Sequence, residues 1–114
     1  MPRSDQPEID PGLPLFARRL KAARLRKGIS QERLGVDAGV DEFSASARIN
    51  QYERGKHTPD VLMASHLARV LGVPLSYFWA QEEDEAELVR LFGGLSVRLR
   101  KQAVRNIEEL AGHK

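Results

Sequence analysis

Cysteine is absent from this chain of 114 residues, and aromatic residues make up only 6% of it. Without cysteine the fold can contain no disulfide and no thiolate zinc site, and no reaction can use a cysteine nucleophile. The absence is also typical of proteins that work in a reducing compartment. The scarcity of aromatic residues predicts a core built chiefly from aliphatic side chains.

Long apolar segments are missing as well. No run approaches the ~18 apolar residues that a membrane-spanning helix needs, and no apolar signal region follows the N-terminus. The histidines His57, His66 and His113 lack a metal-ligand spacing, and no nucleophile elbow is present. We therefore expect a cytoplasmic protein that is not an enzyme, binds no metal or other cofactor, and has no membrane partner.

The chain does contain many charges, and the two signs are unevenly distributed. Residues 16–57 hold ten basic and five acidic side chains, whereas residues 58–87 hold one basic and six acidic ones. The whole chain is near neutral, with a formal net charge of +2. A basic segment beside an acidic one indicates a face that binds a polyanion. Helix faces that contact only solvent give the same pattern.

Proline separates the beginning of the chain from the rest. Four of the six prolines lie within residues 1–14, which predicts a flexible N-terminal arm because proline cannot occupy a helix interior. From Leu15 onwards apolar residues recur at helical spacing, without strand alternation or internal repeats. The sequence therefore predicts an all-α chain, with one domain over residues 15–80 and a C-terminal helical extension over residues 81–114.

The first two predicted helices have clear boundaries. Helix 1 carries an apolar stripe and ends at Gly28. Ser30 is expected to cap helix 2, because its hydroxyl can accept a hydrogen bond from a free backbone amide. Gly35 and Ala38 are small enough for helices to approach, and Gly39 can adopt the positive φ of a tight turn. The stripe of helix 1 is Phe16, Leu20 and Ala23, and the basic residues expected to lie off it are Arg18, Arg19, Lys21 and Arg26.

Helix 3 has two faces of different character. Ile49, Tyr52 and Glu53 recur on one face, which predicts that this face packs on the core. The opposite face is small and polar, and Gly55 ends the helix. The residues of that opposite face are Ser46, Ala47, Asn50 and Gln51.

The remaining helices are predicted from caps and periodicity. Thr58-Pro59-Asp60 is typical of a helix start, and helix 4 then runs to Gly72. Pro74 opens a short fifth helix, and five acids within residues 81–87 favour a further helix start. Ser96 is placed to cap a last helix with an apolar stripe. Helix 4 is expected to bury Leu62, Leu67, Val70 and Leu71, and helix 5 is expected to cap the core with Tyr77, Phe78 and Trp79. The apolar stripe of the last helix is Leu99, Ala103, Ile107, Leu110 and Ala111.

Residues 16–79 resemble the Cro/CI-type (XRE) helix-turn-helix family. The resemblance rests on Arg24, on Gly28-Ile29-Ser30-Gln31-Glu32-Arg33-Leu34-Gly35, on Gly39-Val40, on Ile49 and Tyr52-Glu53-Arg54-Gly55, and on Pro59 and the segment from Leu67 to Leu75. It implies a five-helix, lambda-repressor-like domain with one or two extra C-terminal helices. It also implies a sequence-specific regulator of transcription, a repressor, that inserts helix 3 (about residues 44–53) into the major groove of double-stranded DNA. Without the resemblance the same residues also fit a plain helical bundle.

The resemblance also implies roles for individual residues. Arg24 and Glu53 match a structural ion pair that holds helix 3 on the scaffold. Asn and Gln side chains can read adenine in a bidentate manner, Ser can donate or accept, and Ala can contact a thymine methyl. The expected base-reading residues are Ser46, Ala47, Asn50 and Gln51, and the expected phosphate contacts are Gln31, Arg48, Arg54, Lys56 and His57.

One departure from the family pattern lies before helix 3. The nine positions from Val40 to Ile49 are about four more than the family has there, close to one helical turn. The extra residues either lengthen helix 3, with Asp41 as its cap, or enlarge the turn, with Ser44 as the cap; the longer helix is favoured. Phe43 then either packs on the core, the commoner outcome, or contacts thymine methyl groups.

One such domain reads only about half of an operator, so the resemblance implies a homodimer on half-sites about 34 Å apart. Residues 88–92 and the stripe of the last helix are the candidate pairing surfaces; alternatively they fold back on Phe78 and Trp79.

A second hypothesis is an antitoxin of a toxin–antitoxin pair, which would bind its own operator and, through residues 81–114, a toxin protein. The acidic residues 82–87 suit a basic partner of that kind.

Overall fold

A computed structural model describes residues 10–112, and this part of the chain consists of helices joined by short loops, with no strand. The helices are α1 (Leu15–Lys27), α2 (Gln31–Asp37), α3 (Glu42–Glu53), α4 (Val61–Leu71), a 3₁₀ helix (Leu75–Trp79), α5 (Glu83–Gly93) and α6 (Val97–Gly112). The prediction of an all-α chain is confirmed. Residues 1–9 of the expected flexible arm and the last two residues of the extension lie outside the described residues.

The core gathers one fully buried side chain from each of the first five helical elements. Leu20, Leu34, Ile49, Leu67 and Phe78 come from α1, α2, α3, α4 and the 3₁₀ helix, and each is 0% exposed. Burial of a side chain of this size stabilises a fold by about 1.5–3 kcal/mol. The five elements from α1 to the 3₁₀ helix therefore share one core, against which α2 and α3 pack.

Aromatic rings close one side of this core. The rings of Phe16 and Phe78 lie 4.8 Å apart between centroids, and the Trp79 ring lies 5.3 Å from that of Phe16. Trp79 covers Phe16 with one face and remains exposed on the other, whereas Tyr77 is buried as expected. Burial raises the pKa of the Tyr77 hydroxyl, because the phenolate would lose its hydration.

Polar side chains cap the helices at several of the predicted positions. The Ser30 hydroxyl accepts a hydrogen bond from the Arg33 amide at 2.9 Å, and the Ser96 hydroxyl accepts one from the Leu99 amide at 3.2 Å. Helix α4 begins later than Thr58 suggested, because its cap is the carboxylate of Asp60.

Two expectations about which residues face the core are wrong. Leu62 is 66% exposed, because the buried face of α4 is formed by residues about half a turn away from it around the helix. Arg19 was expected off the apolar stripe, yet it is only 4% exposed. The buried residues of α4 are Ala64, Leu67, Ala68 and Leu71.

Arg19 attaches the C-terminal extension to α1. Its Nε and Nη2 atoms donate to the carbonyl oxygen of Ala80 at 3.0 and 2.8 Å, and Nη1 contacts Glu83 Oε2 at 2.9 Å. Nη2 also lies 3.4 Å from the carbonyl oxygen of Glu82. A guanidinium carries five N–H donors in a rigid fork, so its burial is compatible with these acceptors. The start of α5 is thereby fixed relative to α1.

The two helices of the extension pack very differently. In α5, Ala86 is buried and Val89 packs against the core. Part of this helix therefore folds back on the domain, which is the alternative to a free pairing surface. In α6 no residue is buried, and Leu110 is 88% exposed. Side chains of both helices, among them Leu88, line an open groove of about 620 Å³. The described part of the molecule is correspondingly long, 53 × 32 × 25 Å.

Candidate nucleic-acid interface

Helices α2 and α3 approach each other closely at one glycine. A Cβ atom built on Gly35 would lie 2.7 Å from the Cβ of Ala45, closer than two carbon atoms can pack. The turn between the helices then uses Gly39, with φ of 100°, and its chain direction is fixed by a 2.8 Å hydrogen bond from the Val40 amide to the Gly35 carbonyl. The small residues expected at this crossing are thus explained by contact distances.

Helix α3 contains the extra residues found before Ile49. It begins at Glu42, two residues earlier than the expected start near residue 44, so the additional turn lengthens the helix and leaves the loop short. Asp41 precedes the first helical residue, as the favoured alternative required. Its carboxylate accepts a hydrogen bond from the Ser44 hydroxyl at 3.2 Å and none from a helix amide.

The buried and exposed faces of α3 are opposite each other. Ala45, Ile49, Tyr52 and Glu53 are buried against the core. The side chains proposed to read bases lie on the other face: Ser46, Ala47 and Gln51 are exposed, and Asn50 is half-buried.

Phe43 does not pack on the core, so the favoured alternative for this residue is wrong. It is 90% exposed. Phe43 precedes the buried Ala45 by two residues, and two residues correspond to about 200° around a helix. The ring is therefore on the exposed side of α3.

Arg24 and Glu53 hold α3 against α1. Arg24 Nε donates to Glu53 Oε2 at 2.6 Å, and Nη2 donates to Oε1 at 3.0 Å. The third donor, Nη1, reaches the carbonyl oxygen of Ile29 at 3.0 Å at the end of the α1–α2 loop. One guanidinium thus connects α1, the loop and the end of α3, and a fork of this kind is more directional than a single ion contact.

Gln31 connects the start of α2 to the same end of α3. Its Nε2 atom lies 3.1 Å from Glu53 Oε1 and 3.3 Å from Asn50 Oδ1. The second contact orients the Asn50 amide on the exposed side of the helix, which sequence reasoning did not anticipate. The phosphate contact expected for Gln31 stays a prediction.

Basic side chains surround the exposed face of α3. Arg48 lies on the helix itself, and Arg54, Lys56 and His57 follow its end; all four are exposed. None of them forms an ion pair with a carboxylate among the described residues. Arg48 and His57 also line a shallow groove of about 520 Å³ between α3 and the start of α4. Two of the expected phosphate contacts, Arg48 and His57, are therefore brought together at this groove, and the phosphate roles of all four residues stay predictions.

Within residues 10–112, no group of three or more His, Asp or Glu side chains could hold a metal ion. None of the helices in the same range has the length and apolar character needed to cross a membrane.

Comparison with known proteins extends the resemblance noted from the sequence. The helix-turn-helix family model matches residues 20–78, from α1 to the 3₁₀ helix. An uncharacterized HTH-type transcriptional regulator of Bacillus subtilis (strain 168), YgzD, is 31% identical over 67 residues, which span 58% of this chain and 96% of that protein. The crystal structure of the transcriptional regulator BswR matches with a TM-score of 0.75 and 47% identity, covering 82% of this chain and 92% of that one. A match over 82% of this chain is longer than residues 1–80, so it includes part of residues 81–114.

Proposed function

Because this chain belongs to the helix-turn-helix family of DNA-binding transcriptional regulators, we propose that it binds a specific double-stranded operator and represses transcription. The observation that carries the proposal is the opposition of the two faces of α3. Ile49 and Glu53 hold one face on the scaffold, and Ser46, Ala47 and Asn50 project from the other. The major groove of B-DNA, about 12 Å wide, admits one helix of this kind. Occupancy of an operator that overlaps a promoter is sufficient to repress, and it takes place in the cytoplasm, where the chromosome is accessible.

The individual roles follow from the chemistry of each side chain. Asn50 and Gln51 can each donate to adenine N7 and accept from its N6 amino group, whereas Ser46 donates or accepts and Ala47 contacts a thymine methyl. The cationic residues give affinity that does not depend on sequence and fix the position of the helix on the duplex. The proposed phosphate contacts are Gln31, Arg48, Arg54, Lys56 and His57.

A homodimer is part of the proposal, and α6 is its proposed pairing element. This helix exposes Leu99, Ile107 and Leu110 along one side, and none of its residues is buried. Its Arg100 contacts α5 at the Gly93 carbonyl oxygen and the Phe92 ring. Ile107 shares the 620 Å³ groove with Leu88 and Phe92 of α5, so the apolar surface is continuous between the two helices. Exposed apolar patches of this extent are typical of protein interfaces. A two-fold pair would present two copies of α3 to two half-sites.

Selection from a pool of random duplexes tests the proposal directly. The complete chain is incubated with the pool at near-physiological salt, and bound duplexes are recovered and sequenced over several rounds. We expect one enriched motif with two inverted half-sites, their centres about 34 Å apart or a multiple of that distance. A matched selection with Asn50→Ala should enrich a less selective motif. Failure of the complete chain to enrich any sequence would contradict the proposal.

The antitoxin alternative gains no support from the acidic segment, because part of this segment serves the fold. Glu83 contacts Arg19, and Glu85 Oε1 accepts hydrogen bonds from the amides of Gln81 and Glu82 at 2.9 and 3.4 Å. Acidic residues in the first turn also favour the helix through its dipole. These roles explain the cluster without a basic partner protein, so we propose the regulator alone.

A further inference from the structure

Phe43 is the most exposed large apolar side chain in residues 10–112, with 90% of its surface accessible. No other aromatic ring in that range contacts it. A phenylalanine side chain that remains in contact with water adds no hydrophobic stabilisation to the fold, and Phe43 is such a side chain. Its exposure is therefore informative about what the first turn of this helix contacts.

The position of Phe43 on α3 relates it to the proposed base-reading residues. Residues three, four and seven positions apart share one face of a helix, and Ser46, Ala47 and Asn50 follow Phe43 at these spacings. Asp41 and Glu42 precede it by two residues and one, which places them about 200° and 100° away around the axis. The face that carries Phe43 therefore continues to Asn50 without a carboxylate that would repel DNA.

The additional turn extends the reach of this face along the groove. One turn of α-helix is about 5.4 Å long, and successive base pairs are about 3.4 Å apart. The family pattern is about four residues shorter between Val40 and Ile49, so a helix with the additional turn can reach about one more base pair than that pattern allows. The residue that the extra turn places on the DNA-facing row is Phe43.

We propose that Phe43 reads thymine by packing its ring on the C5-methyl group in the major groove, one base pair or more beyond those read by Ser46, Ala47 and Asn50. The inference rests on the proposed function and names one element of the operator. The thymine methyl is the only apolar group that unmodified DNA presents in the major groove. The phenylalanine ring has no donor for a phosphate and no acceptor for an amino group, so its contact distinguishes thymine from the other bases.

Replacement of single thymines by deoxyuridine tests this proposal, since deoxyuridine lacks only the methyl group. The probe is the duplex recovered by the selection from random sequences, with one dT at a time replaced by dU in both half-sites. For the wild-type chain we expect, beyond any thymine that Ala47 contacts, one further thymine in each half-site at which the replacement weakens binding by about fourfold, the effect of exposing one methyl group. For Phe43→Ala the ratio of affinities for the dT and dU duplexes at that position should fall to about one.

Two further variants make the result specific. Phe43→Leu keeps an apolar side chain and should retain part of the dT preference. Leu25→Ala removes a side chain of α1 that is 41% exposed and has no proposed role in binding or pairing, and it should leave the full preference intact. Thermal unfolding of each variant shows whether it is folded, which we expect because none of these side chains is buried.

Three results have distinct meanings. If the wild type distinguishes dT from dU nowhere, or does so equally in Phe43→Ala, Phe43 does not read thymine and the inference is wrong, although the proposed function stands. If no duplex is enriched at all, the proposed function itself fails. Loss of the dU effect in Phe43→Ala, with the effect retained in Leu25→Ala, supports the inference.

Discussion

Arg24 and Glu53 lie on different helices and are joined by two hydrogen bonds, of 2.6 and 3.0 Å. Glu53 is 3% exposed, and the same carboxylate also accepts a hydrogen bond from Gln31. Three elements, α1, α2 and α3, are thus connected through one buried charge. Because this carboxylate joins the end of α3 to α1 and α2, the position of the proposed base-reading residues should depend on it.

Glu53→Ala should lower the stability of the domain and its affinity for DNA together. The substitution leaves the Arg24 guanidinium buried without its carboxylate, and loss of one partner of a buried pair costs about 3–5 kcal/mol. Urea denaturation measures the loss in unfolding free energy, and fluorescence anisotropy with the selected duplex measures affinity. Normal melting combined with lost binding would contradict a positioning role for the pair.

Arg33→Ala is the matched control for this experiment. Arg33 and Asp37 form an ion pair of similar length, 2.8 Å, but both side chains contact solvent. The carboxylate of Asp37 raises the pKa of Arg33, yet solvent screens such a pair and its removal is rarely measurable. The unfolding transition of Arg33→Ala should therefore coincide with that of the wild type.

Arg19→Met should destabilise the chain far more than Glu83→Gln, although the two residues form one ion pair. Arg19 is buried and also donates to the carbonyl oxygens of Ala80 and Glu82, which the methionine would leave without that donor. We expect a loss of about 2–3 kcal/mol. The Glu83 side chain is 77% exposed, so its substitution should change stability by less than about 0.5 kcal/mol. Equal losses in urea denaturation would show that the ion pair, and not the carbonyl contacts, carries the attachment.

Gln31→Ala should reduce sequence discrimination without changing the fold. The substitution removes the hydrogen bond that orients Asn50, so the Asn50 amide would have to be ordered on binding. Asn50→Ala should weaken discrimination at its base pair by about 1–3 kcal/mol. Competition between the selected duplex and one changed at that base pair measures both effects. Gln102→Ala, an amide variant on exposed α6, should behave as the wild type, and preserved discrimination in Asn50→Ala would contradict its role.

Helix ends and close contacts could be predicted from the sequence because they are local. Ser30, Gly28 and Gly39 act within their own turns, so the residue type alone indicates the conformation. The close contact of Gly35 with Ala45 was also predictable, although it joins two helices, because a tight turn between crossing helices requires a small residue there. The fold class and the family followed from the same positions, since their order along the chain is specific even though each is common.

Errors occurred where the phase of a helix or a distant partner decided the outcome. Leu62 lies opposite the buried face of α4, and its apolar character alone did not indicate which side of the helix would face the core. The burial of Arg19 depends on carbonyl groups about 61 residues later in the chain, which no local pattern contains. The exposure of Phe43 depends on which side of α3 the extra turn places it. The sequence left open whether the extra residues belong to the helix or to the loop before it.

The affinity for DNA should fall steeply with salt. If each subunit neutralises about five phosphates, a plot of log affinity against log salt concentration for a dimer should have a slope near −9. Lys56→Gln removes one cation per subunit and should reduce the slope by about two, while the selected motif stays the same. Anisotropy titrations over a series of salt concentrations measure both slopes. A flat response would argue against DNA as the ligand.

Removal of α6 should separate the proposed dimer. A chain that ends at Gly94 retains the Arg19 contacts with Ala80 and Glu83, and because α6 buries no residue, the core should remain folded. The mass in solution, measured by light scattering, should fall from that of two chains to that of one. Affinity for a single half-site should persist, whereas affinity for the paired site should fall, because two linked sites bind with a high effective concentration.

A point substitution in the complete chain separates the stripe of α6 from the helix as a whole. Ile107→Glu places a charge within the stripe, and Arg105→Glu places the same side chain about 160° away around the helix. Only Ile107→Glu should give a monomer, because a charge desolvated at an apolar interface is costly. If the chain without α6 still has the mass of two chains, pairing occurs elsewhere. If both point variants dissociate, the dimer depends on the charge of α6 and not on its apolar side.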